Sequence, residues 1–316
     1  MVSDIGMVFP GQGSQSVGMG REFYDASSAA RKVYEEASVL VGYDMAGLCF
    51  DGPADRLNLT EFTQPALLTT SIAAFRVLEP RGVRPRAVAG HSLGEYSALV
   101  AAGGLTFPTA LSLVQKRGRY MAEAVPPGSG LVVALLGVGV EAVRDACREA
   151  SAVGIAAPAN FNCPGQIVIA GEKAAVERAA EIAKTKGCRK AIPLPVSVPV
   201  HTALMHVAAE RLAKDVNAAQ WSDLEVPLIN NAEAKALQRA ADVRASVIRQ
   251  LESPVRWEES VRVMSAMGVK TFIEIGPGMV LSGLVKRILP EARAFNVQDP
   301  KSLETTMNQV LVHRLS

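Results

Sequence analysis

The chain has 316 residues, of which 49% are hydrophobic, and its formal net charge is +2. That length and apolar content suffice for one large core with a smaller subdomain, or for two domains. The small net charge and the 5% share of aromatic residues argue against a surface that binds nucleic acid or an anionic membrane.

The cysteines and the start of the chain are typical of a cytoplasmic protein. None of the four cysteines forms a Cys-x-x-Cys pair and histidine is rare, so we predict reduced thiols and no zinc site. The segment MVSDIGMVFPGQG carries an acid before its apolar run, unlike a signal peptide. The apolar run GLVVALLGVGV is too short and too rich in glycine to span a bilayer.

The first part of the chain alternates short apolar runs with longer amphipathic segments. Buried strands are predicted for IGMVFPG and PRAVAG. Helices are predicted for residues 21–42 and 64–79, for SLGEYSALVAA and for PTALSLVQKRGRYMAEA. Such strand, turn and helix units predict an α/β fold with a mainly parallel sheet.

The middle of the chain has a different order. Strands are predicted for LVVALLG, VGIAAPANF, QIVIAG and CRKAIPLPV, and helices for VEAVRDACREA and KAAVERAAEIAKTKG. This β-α-β-β-α-β order is the ferredoxin-like split arrangement. It predicts a small subdomain at residues 129–197, inserted into a large subdomain made of residues 1–128 and 198–316.

The larger pattern then resumes. Helices are predicted for residues 202–219, ADVRASVIRQLE, WEESVRVMSAMG and VLSGLVKRI, and strands for VPLINN and KTFIEIG. The tail after Pro300 is predicted to be a surface helix.

A Gly-x-Ser-x-Gly pentapeptide, Gly90 to Gly94, joins the second predicted strand to its helix. A tight turn there can project the Ser92 hydroxyl outward and aim the helix N-terminus at it, as a nucleophile requires. A serine that only caps the helix would suit the same position.

A nucleophilic serine needs a base, and the chain offers four histidines. His91 lies in the serine's own turn, so its side chain is expected to point away, and His313 lies in the tail. His206 follows His201 by five residues on a helix, so we expect it to face another direction. His201 ends an apolar run where open α/β sheets place their chemistry, so elimination favours it over a helix-start histidine without a role. No acid is an obvious third member, since Asp215 is poorly placed, and a backbone carbonyl could orient the imidazole instead.

Arg117 falls on the apolar stripe of the predicted helix 108–124. A buried guanidinium is costly unless it is paired. Either an internal carboxylate pairs with it, or it receives a substrate carboxylate through two parallel hydrogen bonds. An acyl transferase acting on an acid with a free carboxylate needs such a group, whereas an esterase acting on neutral esters does not.

The segment PGQGSQSVGMG forms a polar, glycine-rich turn after the first strand and matches no dinucleotide or phosphate-loop pattern. A backbone amide of this turn and the amide of Leu93 could together form an oxyanion hole.

The motifs FPGQGSQ, TQPA, GHSLGEYSALVAAG, QKRGRYM, NFNCPGQIVIAG, HTALM, SPVRW and EIGPG occur in this order between residues 7 and 298. With them the chain resembles the malonyl-CoA:acyl-carrier-protein transacylases of bacterial fatty acid synthesis. The resemblance implies an α/β-hydrolase-like large subdomain with a ferredoxin-like insert. It also implies malonyl transfer from malonyl-CoA to the phosphopantetheine thiol of holo acyl carrier protein, with no cofactor or metal and with a monomeric enzyme.

The resemblance implies a role for each matching position. Ser92 would carry the malonyl group, and His201 would take its proton and return it to the leaving thiol. The amides of Gln12 and Leu93 would hold the oxyanion, and Arg117 would pair with the malonyl carboxylate.

Three further positions receive roles from the resemblance alone. The backbone carbonyl of Gln250 would orient His201, which explains the missing acid. Asn162 and Gln166, in the small subdomain, would contact the pantetheine arm.

Two residues depart from the family pattern. Val200 stands where the family commonly carries serine, and we expect its branched side chain to tighten the pocket around the malonyl α-carbon. His206 stands where a cationic residue is frequent. If that face docks the acidic carrier protein, we expect the affinity there to fall as pH rises through the histidine pKa.

Four other functions are alternatives to malonyl transfer for fatty acid synthesis. A free-standing acyltransferase that loads polyketide carriers, or the acyl-transfer subunit of malonate decarboxylase, would have the same chemistry. An α/β-hydrolase esterase would require an acid between serine and histidine in chain order, and a non-catalytic scaffold would be expected to lose Ser92, His201 or Arg117.

Overall fold

The computed structural model describes residues 4–126, 128–196 and 198–315, with side chains as far as residue 310. Numbered along the chain, the strands are β1 (Ile5–Phe9), β2 (Ala87–Gly90), β3 (Gly130–Leu136), β4 (Ala156–Cys163), β5 (Gln166–Glu172), β6 (Lys190–Pro193), β7 (Leu228–Ile229), β8 (Ala236–Leu237), β9 (Thr271–Ile275) and β10 (Arg293–Val297).

The helices follow the same numbering. They are α1 (Arg21–Ala26), α2 (Ser28–Val41), α3 (Met45–Asp51), α4 (Ala54–Leu57), α5 (Thr60–Leu78), α6 (Gly94–Ala101), α7 (Phe107–Ala124), α8 (Val140–Glu149), α9 (Lys173–Thr185), α10 (His206–Ala218), α11 (Ala240–Gln250), α12 (Trp257–Ala266), α13 (Val280–Ile288) and α14 (Pro300–Leu315). Short 3-10 turns lie at Glu79–Arg81, Ala150–Ala152 and Ala203–Met205.

A six-stranded sheet forms the larger layer, in the order β10-β9-β1-β2-β7-β8. Every neighbouring pair is parallel except β7 with β8. The central strands β1 and β2 are buried along their whole length, as expected for parallel strands covered by helices on both faces. The prediction of an α/β fold with a mainly parallel sheet is therefore confirmed.

A four-stranded antiparallel sheet forms the second layer, in the order β4-β5-β3-β6. Its apolar face packs against α8 and α9 in a separate core, which includes Val133, Leu135, Ile169 and Val176. The division into two subdomains at residues 129 and 197 stays a prediction, and Ser197 itself lies outside the described residues.

The two layers meet where β4 runs beside the segment that precedes α12. The amide of Phe161 donates to the Val255 carbonyl, and the Val255 amide donates to the Ala159 carbonyl, both at 2.8 Å. Cys163, at the end of β4, packs in the same core as Trp257. The antiparallel sheet is thereby held beside the carboxyl ends of the parallel strands.

Several predicted boundaries differ from the structure for local reasons. The helix predicted at 21–42 divides at Ser27, whose side chain caps α2 by accepting from the Ala30 amide. The helix predicted from residue 202 begins only at His206, because Thr202 bonds backward to the Pro199 carbonyl. The short elements α3, α4, β8 and β10 had no clear sequence signal.

The cysteines agree with the sequence prediction. All four are buried and free of disulfides. Across the part of the chain that the structure describes, no helix combines the length and the apolar character needed to cross a lipid bilayer.

Gly94, the first residue of α6, is required by close packing against β1. A Cβ added there would lie 2.0 Å from the Phe9 carbonyl oxygen, a separation that demands backbone movement. We expect Gly94→Ala to lower the free energy of unfolding by about 2 kcal/mol or more, measured by urea denaturation.

Gly283 provides the matched control, because it is an exposed helical glycine whose added Cβ would meet nothing within 4 Å. Gly283→Ala should raise the free energy of unfolding by up to about 1 kcal/mol. Equal stability of the two variants would contradict the packing argument.

Candidate active site

Ser92 occupies the turn between β2 and α6. Its φ of 50° is left-handed, a conformation that costs a non-glycine residue about 1–3 kcal/mol. Gly90 and Gly94 permit the turn, since a Cβ on Gly90 would lie 1.9 Å from the Gly94 carbonyl carbon. The N-cap of α6 is Leu93 and not Ser92, so the helix-cap alternative does not describe this serine. The turn has the geometry of a nucleophile elbow.

His201 faces the serine hydroxyl. The Ser92 Oγ lies 2.7 Å from His201 Nε2, and His201 Nδ1 lies 3.0 Å from the Gln250 carbonyl oxygen. A carbonyl can only accept, so Nδ1 carries the proton and Nε2 is free to accept from the serine hydroxyl. Asp215 is engaged elsewhere, with Lys116 and Tyr120.

The surroundings keep His201 neutral. It is almost wholly buried. Burial, followed by the positive charge of Arg117, lowers the His201 pKa to about 3. A neutral imidazole at physiological pH can accept the serine proton.

Arg117, on α7, is 1% exposed and points into the same site. Its Nη1 donates to Gln64 Oε1 at 2.7 Å, and its Nη2 lies 3.3 Å from both Ser92 Oγ and Gln250 Oε1. Among the described residues, no carboxylate forms an ion pair with it, and its Nε has no partner. Neutral acceptors thus orient a buried positive charge that lies beside the Ser92 hydroxyl.

Gln250 connects the three groups. Beyond its carbonyl bond to His201, its Nε2 donates to the Ser92 carbonyl at 2.9 Å, and its Oε1 accepts from Arg117. Only the backbone carbonyl of Gln250 was predicted, because nothing in the local sequence indicates where the Gln250 side chain points.

The amides of Gln12 and Leu93 flank the turn. Within the described chain neither donates a hydrogen bond to another residue. The loop of Gln12 lies close to the nucleophile turn, since a Cβ on Gly11 would be 2.2 Å from the His91 carbonyl oxygen. Two unpaired donors at such a turn suit an oxyanion.

Gln12 is also linked to Arg117 through α5. Thr60 Oγ1 donates to Gln12 Oε1 at 3.0 Å and accepts from Gln64 Nε2 at 2.9 Å. Gln64 in turn accepts from Arg117. Neither Thr60 nor Gln64 was predicted from the sequence, although Gln64 belongs to the TQPA motif.

Asn162 and Gln166 lie on β4 and β5, and they differ in position. Asn162 Oδ1 lies 2.8 Å from His91 Nε2, beside the nucleophile. Gln166 accepts a hydrogen bond from Arg287 on α13. A contact of either residue with a pantetheine arm stays a prediction.

His206 is exposed and lies between two acids. Its Nδ1 is 3.0 Å from Glu252 Oε1, and its Nε2 is 3.6 Å from Glu210 Oε1. These carboxylates reduce the attraction that this face could offer an acidic carrier.

Comparison with known proteins identifies close relatives. Residues 7–305 match the family model of the acyl transferase domain. The malonyl CoA-acyl carrier protein transacylase of Bacillus subtilis (strain 168) is 48% identical over 304 residues, which cover 96% of each chain. Among solved structures, an acyl carrier protein S-malonyltransferase from Vibrio cholerae has a TM-score of 0.94 at 47% identity, covering 96% of this chain and 100% of that one.

A second solved structure shows a malonyl-transacylase in complex with its holo type II PKS acyl-carrier protein. It has a TM-score of 0.95 at 46% identity, covering 97% of this chain and 100% of that one.

The buried histidine should make stability depend on pH. Because its folded pKa lies below the ordinary value of 6.5, the unfolded chain binds a proton that the folded chain does not between about pH 6.5 and 3. The free energy of unfolding should therefore fall on acidification, by up to about 1.4 kcal/mol per pH unit from this group.

Urea denaturation at half-unit steps from pH 8 to 4.5 measures this contribution. His201→Gln should show a shallower loss than wild type below pH 6.5, while the two curves run parallel above pH 7. Parallel curves over the whole range would show that His201 is not buried as a neutral imidazole.

Proposed function

This chain belongs to the acyl transferase family, and on that premise we propose that it transfers a malonyl group from malonyl-CoA to an acyl carrier protein in fatty acid synthesis. The observation that carries the proposal is the position of Arg117, a buried cation without a carboxylate partner in the described chain. Its guanidinium lies 3.3 Å from the Ser92 hydroxyl, which is hydrogen-bonded to the neutral imidazole of His201. Such a site suits an acyl donor that bears its own carboxylate.

The first half-reaction forms a malonyl-serine ester. Ser92 Oγ attacks the thioester carbonyl carbon while its proton passes to His201 Nε2. The carbon–sulfur bond then breaks, and the imidazolium returns the proton to the leaving coenzyme A thiolate. Because His201 is again neutral, it can serve the second half-reaction.

The second half-reaction reverses the first with another thiol. The phosphopantetheine thiol of the carrier gives its proton to His201 and attacks the ester carbonyl, and Ser92 leaves with the proton. One thioester replaces another, so the exchange needs neither a cofactor nor a metal. Ping-pong kinetics follow from the covalent intermediate.

Arg117 would receive the malonyl carboxylate. Its Nη1 and Nη2 already donate to neutral side-chain oxygens, which can be exchanged for the stronger charge-assisted bonds of a carboxylate. The esterase alternative accounts for neither this cation nor the absence, within the described chain, of an acid bonded to His201.

The oxyanion and the imidazole would be held by backbone groups. The unpaired amides of Gln12 and Leu93 would stabilise the tetrahedral intermediate. The Gln250 carbonyl would keep the Nδ1–H tautomer of His201, the role that an aspartate has in a serine triad.

The fold supports a cleft between two subdomains. On this proposal, the elbow after β2 in a parallel sheet belongs to an α/β-hydrolase-like subdomain, and the strand order β4-β5-β3-β6 with α8 and α9 supports a ferredoxin-like one. Asn162 and Gln166, on the ferredoxin-like part, would contact the pantetheine arm. A cleft of this kind keeps water from the acyl-enzyme.

A polyketide carrier is the second candidate acceptor, because the solved relative at 46% identity is bound to a type II PKS acyl-carrier protein. Transfer rates to purified fatty-acid and polyketide carriers, compared at equal concentration, separate the two.

The acyl-enzyme intermediate can be tested directly. Incubated with radiolabelled malonyl-CoA and no carrier, the wild-type protein should acquire acid-stable label, which Ser92→Ala abolishes. Arg117→Ala should slow labelling about a hundredfold or more, because it leaves the substrate carboxylate unpaired.

Arg119→Ala, on the exposed side of the same helix, is the control and should be labelled like wild type. Label from acetyl-CoA but none from malonyl-CoA would contradict the malonyl assignment. Undiminished labelling of Arg117→Ala would contradict the proposal that Arg117 binds the malonyl carboxylate.

Acyl selectivity can be tested at Val200. Val200 precedes the base and packs partly buried at the edge of the main core. Val200→Ser should relieve crowding at the malonyl α-carbon and raise the ratio of methylmalonyl to malonyl transfer about tenfold, the scale of one methyl contact. Rates with malonyl-, methylmalonyl- and acetyl-CoA measure it, and an unchanged ratio would show that Val200 does not line the acyl pocket.

A further inference from the structure

Asn231 lies two residues after the end of β7, at the carboxyl edge of the parallel sheet. Ile229 of β7 pairs with Ala89 of β2, so the chain beyond β7 runs beside the chain beyond β2, which is the turn of Ser92. Asn231 is wholly buried. A buried polar side chain at this position can therefore reach the turn of Ser92.

The Asn231 amide spans the turn. Its Nδ2 donates to the Gly90 carbonyl oxygen at 2.7 Å, and its Oδ1 accepts from the Ser92 amide at 2.7 Å. A backbone carbonyl can only accept and a backbone amide can only donate, so the orientation of the side-chain amide is unambiguous. An uncharged carboxamide is the group that offers a donor and an acceptor side by side.

Asn231 is itself fixed on both sides. Its backbone amide donates to Glu95 Oε2 at 2.7 Å, and its backbone carbonyl accepts from the backbone amide of Arg256 at 3.0 Å. Glu95 lies fully buried on α6, the helix that Ser92 precedes. The hydrogen bonds of Asn231 therefore connect the turn of Ser92, helix α6 and the loop after β7.

We propose that Asn231 is a positioning residue for the nucleophile, which holds Ser92 in its left-handed conformation so that Oγ stays within 2.7 Å of His201 Nε2. This inference rests on the proposed role of Ser92 as the acyl-accepting hydroxyl. Asn231 acts through the backbone of Ser92 and does not touch the acyl group.

Asn230 shows that burial alone does not produce this arrangement. It is equally buried, but its side chain bonds to Ser246 Oγ at 2.6 Å and to Glu233, and it accepts from the Lys235 amide. Its bonds stabilise its own loop and join that loop to the middle of α11, and none reaches the serine turn.

Asn231→Asp tests the proposal by removing one proton. An ionised aspartate can accept from Ser92 but cannot donate to Gly90, whereas a protonated one restores both bonds. At pH 8 the single-turnover rate of malonyl transfer to Ser92 should fall about a hundredfold, the scale of a displacement of about 1 Å. The KM for malonyl-CoA should stay near the wild-type value, because Arg117 is intact.

Acidification should then rescue the variant. Burial raises the pKa of a carboxyl group, so the ratio of variant to wild-type rate should rise steeply between pH 8 and 5.5. The ionisable groups around these bonds include His91 in the turn itself, Glu95 on α6, Arg117 on α7, His201 before α10, Glu233 in the same loop, and Arg256, whose backbone amide bonds to Asn231. All of these are present in both proteins, so the ratio cancels their direct effects on the rate.

Asn230→Asp is the matched control. It should lower the melting temperature without slowing labelling per folded molecule, and its rate ratio to wild type should show no acid rescue. Should Asn231→Asp fail to fold, Asn231→Ala decides, because the proposal requires a hundredfold lower rate with unchanged KM and no rescue by acid.

A wild-type rate in Asn231→Asp or Asn231→Ala, or a slow Asn231→Asp that acid does not restore, would overturn the positioning role. The wild-type reaction is the internal check on the proposed function. Absence of malonyl label on wild-type Ser92 would refute the proposed function, whereas labelled wild type beside equally fast variants would refute the inference alone.

Discussion

The contact between Ser92 and His201 depends on two left-handed backbone conformations that residues other than glycine seldom adopt. Ser92 has a φ of 50° and His201 a φ of 65°, and each is held by bonds from elements distant in sequence. The Asn231 and Gln250 side chains bind the amide and the carbonyl of Ser92, while the His201 amide donates to the Leu251 carbonyl. The strain is local, and the bonds that offset it come from the ends of β7 and α11.

The order of the strands places the elements that hold Ser92 on either side of its turn. With β2 between β1 and β7, the loop of Gln12 approaches the serine turn from one side and Asn231 from the other. Parallel strands bring their carboxyl ends to one edge, where chemistry is usually placed. The second sheet is joined to this edge through β4, which brings Asn162 to His91.

The sequence predicted what local patterns encode. The alternation of strands and helices, the serine turn and an arginine on an apolar stripe were all readable, since each depends on neighbours within one element. The resemblance implied the carbonyl of Gln250 and the amides of Gln12 and Leu93. The side chains of Gln64, Asn231 and Gln250 were not readable, because their partners lie far away in sequence: 139 residues separate Asn231 from Ser92. Short edge elements such as β8 and β10 form by pairing with a neighbour and show little periodicity of their own.

The missing triad acid and the neutral partners of Arg117 have one explanation. An aspartate beside His201 would place a negative charge in the pocket that is proposed to admit the malonyl carboxylate. Its field would also compensate Arg117, which would weaken a site for anions, and it would raise the His201 pKa, which would leave less of the neutral imidazole that accepts a proton. Carboxamides and a backbone carbonyl orient the same groups without adding charge. Glu95, the buried acid nearest in this network, has its pKa raised to about 7 by burial, so its negative charge is only partial at neutral pH. The guanidinium is therefore oriented in advance while most of its charge remains for the substrate.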